Sequence, residues 1–184
     1  IQAIIFVPVV GLLIFPVIVS TFSKKKLVTW ILIPLFIQFL ILTPFIIEGT
    51  YTKVGSLAYN AVGRYPLVSL NAFNFWYLLD PLYLPPIHDP TKFIGISYRN
   101  WGLSLFFVSS GIALFPLAKY GYQSIMKRME LNIPLDKMLI TGALIPLLFF
   151  FFNTQMHERY SDPAFVFLIT YALYKKKPFV AIIG

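Results

Sequence analysis

The stretch that decides the fold is Leu27-Val28-Thr29-Trp30-Ile31-Leu32-Ile33-Pro34-Leu35-Phe36-Ile37-Gln38-Phe39-Leu40-Ile41-Leu42-Thr43-Pro44-Phe45-Ile46-Ile47. It holds no charge, and Gln38 is its one amide. A helix crossing the hydrocarbon core of a bilayer needs about 20 predominantly apolar residues. Leu27–Ile47 therefore reads as a membrane span. Four further apolar runs read the same way: Ala3–Ser20, Trp101–Ala118, Met138–Phe152 and Ala164–Tyr174. The last two are short, and fit as tilted neighbours or as spans whose ends extend into polar flanks. Pro8, Pro16, Pro34, Pro44, Pro116 and Pro146 lie inside these runs. In water they would break helices, but in a bundle neighbouring helices supply partners for the freed carbonyls. The expected fold is all-α: a polytopic transmembrane bundle of five spans with one long extracytoplasmic loop, residues 48–100.

Composition agrees. The 184 residues are 58% hydrophobic and only 12% charged, about half the charged share of an ordinary soluble domain. With 18% aromatic residues the chain is not of the disordered class. It has no cysteine, which excludes disulfides, thiolate metal sites and thiol catalysis. The net charge of +8 would raise nucleic acid as a partner in a soluble protein. Here the basic residues sit between apolar runs, so they read as topology and lipid signals instead. The first residues lack a basic leader and a cleavage site, and apolar sequence stands at both termini. The expectation is a fragment of a longer protein.

The lysines set the orientation. Ser23–Lys26, Lys119–Lys137 and Lys175–Lys177 fall on one side and hold ten Lys or Arg. Glu48–Asn100 and Asn153–Pro163 fall on the other and hold five, although they are far longer. The excess of Lys and Arg marks the cytoplasmic side. The long loop and the Asn153–Pro163 turn are then extracytoplasmic.

Within the loop, Leu70, Phe73, Trp76 and Tyr77 would line one side of a helix beginning near Ser69, and Asn71 and Asn74 would share another face. Such a helix could lie in the headgroup layer as an aromatic anchor. It could equally form a wall of a substrate cavity. Lys119–Lys137 reads as a plain connection with a short basic helix over Gln123–Leu131.

The densest polar cluster follows four phenylalanines: Asn153-Thr154-Gln155-Met156-His157-Glu158-Arg159-Tyr160. If the helix continued, Asn153, His157 and Tyr160 would share one face, and Gln155 and Arg159 another. Arg159 offers a planar fork of donors suited to phosphate oxygens. His157 could bond the same anion or move a proton near neutral pH. Glu158 could hold either residue in place. A solvated turn whose charges pair with one another is the competing reading. Arg64, in the loop on the same side, is a second candidate phosphate ligand. His88-Asp89 with His157-Glu158 matches no established metal-ligand spacing, so no metal or other cofactor is expected. No Gly-rich phosphate loop or serine nucleophile elbow is present.

Two motifs resemble a known family. Gly63-Arg64-Tyr65-Pro66-Leu67-Val68-Ser69-Leu70-Asn71-Ala72-Phe73-Asn74-Phe75-Trp76, followed by Gln155-Met156-His157-Glu158-Arg159-Tyr160, is similar to the C-terminal half of bacterial integral-membrane glycosyltransferases of the GT-C type. Within that class the resemblance is to the mannosyltransferases described as GPI-mannosyltransferase-like. It implies an enzyme moving a sugar, a hexose such as mannose, from a polyprenyl-phosphate donor to a glycan, lipid or protein acceptor at the outer face of a bacterial inner membrane. It places the catalytic carboxylate in an outer loop upstream of Ile1, so no catalytic residue is assigned. His157, Arg159 and Arg64 would bind the donor phosphate. Asn71, Asn74, Trp76, Gln155, Glu158 and Tyr160 would bind or orient sugar and acceptor. A transporter or flippase of an anionic lipid-linked substrate, and a non-catalytic subunit of a membrane glycosyltransferase, are the alternatives.

Overall fold

The structure is a computed structural model that describes residues 5–20, 24–60, 65–70, 72–79, 86–127 and 132–176. Arg64 and Asn71 lie outside the described residues. Six α-helices are described: α1 (Val7–Ser20), α2 (Lys24–Ile47), α3 (Tyr51–Asn60), α4 (Tyr98–Lys127), α5 (Leu135–Phe152) and α6 (Asp162–Lys175). A two-stranded hairpin, β1 (Lys92–Phe93) and β2 (Ile96–Ser97), precedes α4.

The helices start and stop where local chemistry dictates. Ser97 Oγ accepts from the Asn100 amide at 3.2 Å, satisfying one of the donors that the first turn of α4 leaves unpaired. Pro163 stands in the first turn of α6, where a missing N–H costs nothing. Lys176 closes α6 in the left-handed conformation at φ 53°. At the end of α2 the chain turns through Gly49, at φ +67°, and restarts as α3 at 116° to its former course. Thr50 fastens that corner with its amide on Phe45 O at 2.8 Å.

Helices α4, α5 and α6 form an antiparallel bundle, and α1 packs against α4. Leu117, Ile145, Val9 and Ile5 make its apolar centre. Close approach depends on two glycines. A Cβ on Gly102 of α4 would stand 2.7 Å from Phe152 O, and one on Gly142 of α5 would stand 2.6 Å from the Phe167 ring of α6. Helix α2 is different. It packs mainly on α3, and Ile31, Leu32, Leu35, Phe36, Phe39 and Leu40 expose their apolar surface right around it. A helix apolar on all sides belongs in lipid or in the core of a larger assembly.

Two helices, α4 and α5, are long and apolar enough to cross a membrane, and the bent α2–α3 pair counts as a third. At 30 and 18 residues, α4 and α5 reach about 45 and about 27 Å. At 14 residues each, α1 and α6 reach about 21 Å, less than the roughly 30 Å of hydrocarbon. The helices themselves thus supply two or three spans where the sequence predicts five.

Two expectations are corrected. Residues 128–131 of the basic helix predicted over Gln123–Leu131 lie outside the described residues, and the rest is not separate: α4 runs unbroken from Tyr98 to Lys127, through Gly121. The helix predicted from Ser69 does not form. Residues 65–74 are irregular where described, and only a single 3-10 turn follows, Phe75–Leu78. The Asn74 side chain accepts from the amides of Trp76 and Tyr77, at 3.1 and 3.3 Å, and so starts the short turn just where a longer helix would have continued.

The two ends of the bundle differ in character. At one end Lys175 Nζ meets Asp136 Oδ2 at 2.8 Å, with Lys127 and Lys137 closing the neighbouring helix ends. At the other end the described residues of 65–79 and 86–97 fold onto the turn after α5 and make a polar and aromatic cap. The long loop and the Asn153–Pro163 turn, grouped by the lysine pattern, do share an end.

Candidate functional site

The cap is built on the last turn of α5. The final carbonyls of any helix lack intrahelical partners. Here a segment far away in sequence supplies donors. Asn74 Nδ2 reaches both Phe150 O, at 3.2 Å, and Asn153 O, at 3.1 Å. The Trp76 indole N–H donates to Phe152 O. Asn153 itself folds back, its side-chain amide on Phe149 O at 3.0 Å. Asn74 and Trp76 are 4% and 2% exposed, so their polar atoms are committed to this helix end. The Trp76 ring packs edge-on against Tyr98 and Phe75, with Val68 beneath.

A second knot centres on Asp89. This carboxylate is 1% exposed, and its Oδ2 accepts from Thr154 Oγ1 at 3.0 Å and from Gln155 Nε2 at 2.7 Å. Its backbone is fixed as well. The Asp89 amide donates to Pro66 O, and Asp89 O accepts from the Arg99 amide, both at 3.0 Å. Gln155 stands at φ +60°, a left-handed conformation uncommon outside glycine, and its amide donates to Leu67 O at 3.1 Å. The Asp89 bond and the Leu67 bond together hold it there.

Above this knot opens a hollow of about 470 Å³, lined by Leu57, Asn60, Tyr65, Leu70, Gln155, His157, Arg159 and Tyr160. Helix α3 forms one wall, and the 3-10 turn Glu158–Tyr160 with the residues before it forms the other. The α5 helix ends at Phe152, because Asn153 turns extended, so Asn153, His157 and Tyr160 share no helical face. His157 and Tyr160 still come together, with ring centroids 5.9 Å apart, and Tyr65 meets His157 edge-on at 6.3 Å. Arg159 is exposed within the hollow. Among the described residues the one ion pair is Lys175–Asp136, at the opposite end, so Glu158 does not neutralise Arg159. The pairing expected of a solvated turn is therefore not made.

The structure thus brings Gln155, His157, Arg159 and Tyr160 to one hollow. Asn74 and Trp76 lie beneath it, bonded to the end of α5, and Glu158 points to solvent outside its lining. Sequence reasoning missed Tyr65, Leu57 and Asn60 as wall residues and Asp89 as the anchor. Asp89 did carry a signal: in a stretch of aromatic and apolar residues, an Asp-Pro pair at 89–90 marks a turn whose carboxylate needs donors. Among the described residues no group of three His, Asp or Glu is placed to hold a metal ion.

No protein family, curated protein or solved structure matches this chain.

In chemical terms the hollow offers a guanidinium, an imidazole, a phenol and a carboxamide against an apolar wall. That set suits an anion carried on an amphiphile. The guanidinium can take two oxygens of one anionic group, and Leu57 and Leu70 can meet hydrocarbon.

Proposed function

We propose that the chain is part of a membrane glycosyltransferase of the GT-C type, one that moves a hexose such as mannose from a polyprenyl-phosphate donor to an acceptor. The observation that supports this reading is Arg159: a cation that pairs with no carboxylate among the described residues, beside His157, in a hollow at the polar end of a membrane bundle. In the reaction an acceptor hydroxyl attacks the anomeric carbon, and the bond from that carbon to the phosphate oxygen breaks. The departing phosphate carries the electron pair, and Arg159 and His157 stabilise its charge. The carboxylate that receives the hydroxyl proton is not assigned to a residue of this chain. Gln155 and Tyr160 orient the sugar. Asn74, Trp76 and Asp89 hold the turn that presents these groups. Arg64, four residues before Val68 of the cap, is proposed as a further phosphate ligand. We place the hollow on the outer face of a bacterial inner membrane, with α1 and α6 completing a five-span bundle through their flanking residues.

The test is sugar transfer from polyprenyl-phosphate mannose by the full-length protein in vesicles. Arg159→Ala should lower transfer about 10- to 100-fold at unchanged expression, the range expected for one hydrogen bond to a charged group. Near-normal transfer would remove Arg159 from the mechanism. A second reading, transport of a lipid-linked anion, is favoured by the broken α2–α3 pair beside the hollow. The same vesicles separate the two. Movement of intact donor between leaflets without cleavage would replace the transferase reading.

A further inference from the structure

The β1–β2 hairpin takes no part in the hollow, and it carries an anomaly. Its two-residue turn is Ile94-Gly95, at φ 51° and 81°. Such turns need positive φ at both central positions and favour Asn-Gly. A β-branched residue there is strained. Ile94 is nonetheless 77% exposed, flanked by the exposed Phe93 and Ile96. Water gives this chain no return for that strain.

The surroundings point to what does. The Trp101 indole donates to Phe93 O at 2.9 Å, and the Phe93 ring stacks on Tyr98 at 5.6 Å. These contacts lay the hairpin alongside the first turn of α4, a span-length helix, rather than away from it. Trp101 lies about 4.5 Å along the axis from Tyr98. Below Trp101 on the same helical face come Val108, Ile112 and Phe115, 65%, 71% and 67% exposed. That stripe faces lipid if α4 spans, and the hairpin sits at its upper end. Lys92 and Arg99 beside the tip are exposed, and the nearest carboxylate in sequence, Asp89, is buried.

We infer that the Phe93–Ile96 tip is a lipid anchor, dipping into the leaflet at the cap end while Lys92 and Arg99 engage lipid phosphates. Trp101 marks the interface, where indoles concentrate. The inference does not depend on the chemistry of the hollow.

The 184 residues hold no cysteine, so a label at position 94 is unique once any cysteine outside them is replaced. Ile94→Cys in the full-length protein is spin-labelled and reconstituted in mixed phosphatidylcholine and phosphatidylglycerol vesicles. Collisions with oxygen, which partitions into lipid, are compared with collisions with a water-soluble nickel chelate. The label at Ile94 should favour oxygen severalfold over one at Thr91→Cys. Equal, nickel-dominated values at both positions would overturn the inference. So would a label at Ile94 shielded from both reagents, which would indicate a protein partner. Ile96→Cys provides the same reading should Ile94→Cys not fold. Lys92→Glu with Arg99→Glu should raise nickel access at Ile94 in anionic vesicles, and an unchanged value would remove those two residues from the anchor.

Discussion

Three side chains do most to shape the cap, and each acts on groups far away in sequence. Asn74 supplies donors to two carbonyls at the end of α5 and acceptor capacity to its own 3-10 turn. Asn74→Ala should cost about 1–3 kcal/mol, because buried carbonyls would lose their partners and stay out of water. Trp76→Phe keeps the ring packing but loses the indole donor, and a loss of about 1–2 kcal/mol is expected. Both changes would appear as lowered melting temperatures of the purified protein in detergent. Asp89→Ala should be at least as damaging, since it strands the Thr154 and Gln155 donors together. At Arg159 the matching experiment is chemical. Arg159→Lys keeps the charge and loses the fork, so ligand affinity should fall less than with alanine. Asn74 and Trp76 were legible in the sequence as unusual residues in a long loop, but not as helix-end partners. Nothing near them in the chain shows where their bonds go, because the acceptors stand 76 and 79 positions on.

Among the elements, the five apolar runs mark α1, α2, α4, α5 and α6. Their ends depend on single residues that composition does not weigh. The run Trp101–Ala118 grows at both ends into α4, since Ser97 caps it early and no proline stands between Ala118 and Lys127. The predicted helix from Ser69 shrinks to one turn for the opposite reason: a side chain of its own takes the amides. Packing between elements yields a sharp contrast. Gly102→Ala drives a methyl against the backbone of Phe152, which has nowhere to go, and should destabilise by about 1–3 kcal/mol. Gly111→Ala on the same helix meets nothing within 4 Å and should be neutral or slightly stabilising through helix propensity. Parallel thermal melts of the two variants check this. If they melt alike, the close approach of α4 to the end of α5 does not limit stability.

Across the whole molecule, the alternation of lysine-rich and lysine-poor segments was the most informative pattern. It grouped residues 48–100 with 153–163, and the folded chain does join them at one end, through Asp89 to Thr154 and Leu67 to Gln155. The hollow itself was half legible. His157 and Arg159 stood out as charges after an apolar run, but their wall on α3 depends on the turn at Gly49, whose direction no periodicity encodes. Sidedness is tested by single cysteines. Ser161→Cys beside the hollow should react with an impermeant maleimide from outside intact cells, and Lys137→Cys only after permeabilisation. The reverse pattern would put the hollow in the cytosol and end the polyprenyl-phosphate reading.

The stapling of α5 by Asn74 and Trp76 also orders the biography of the chain. These two residues leave the ribosome more than 70 positions ahead of the carbonyls they serve. During synthesis the segment must wait, its indole and amide still hydrated, until the later helix has been made. Closing the cap must follow the synthesis of α5, and any nascent chain halted before Phe152 lacks the carbonyls that seal it.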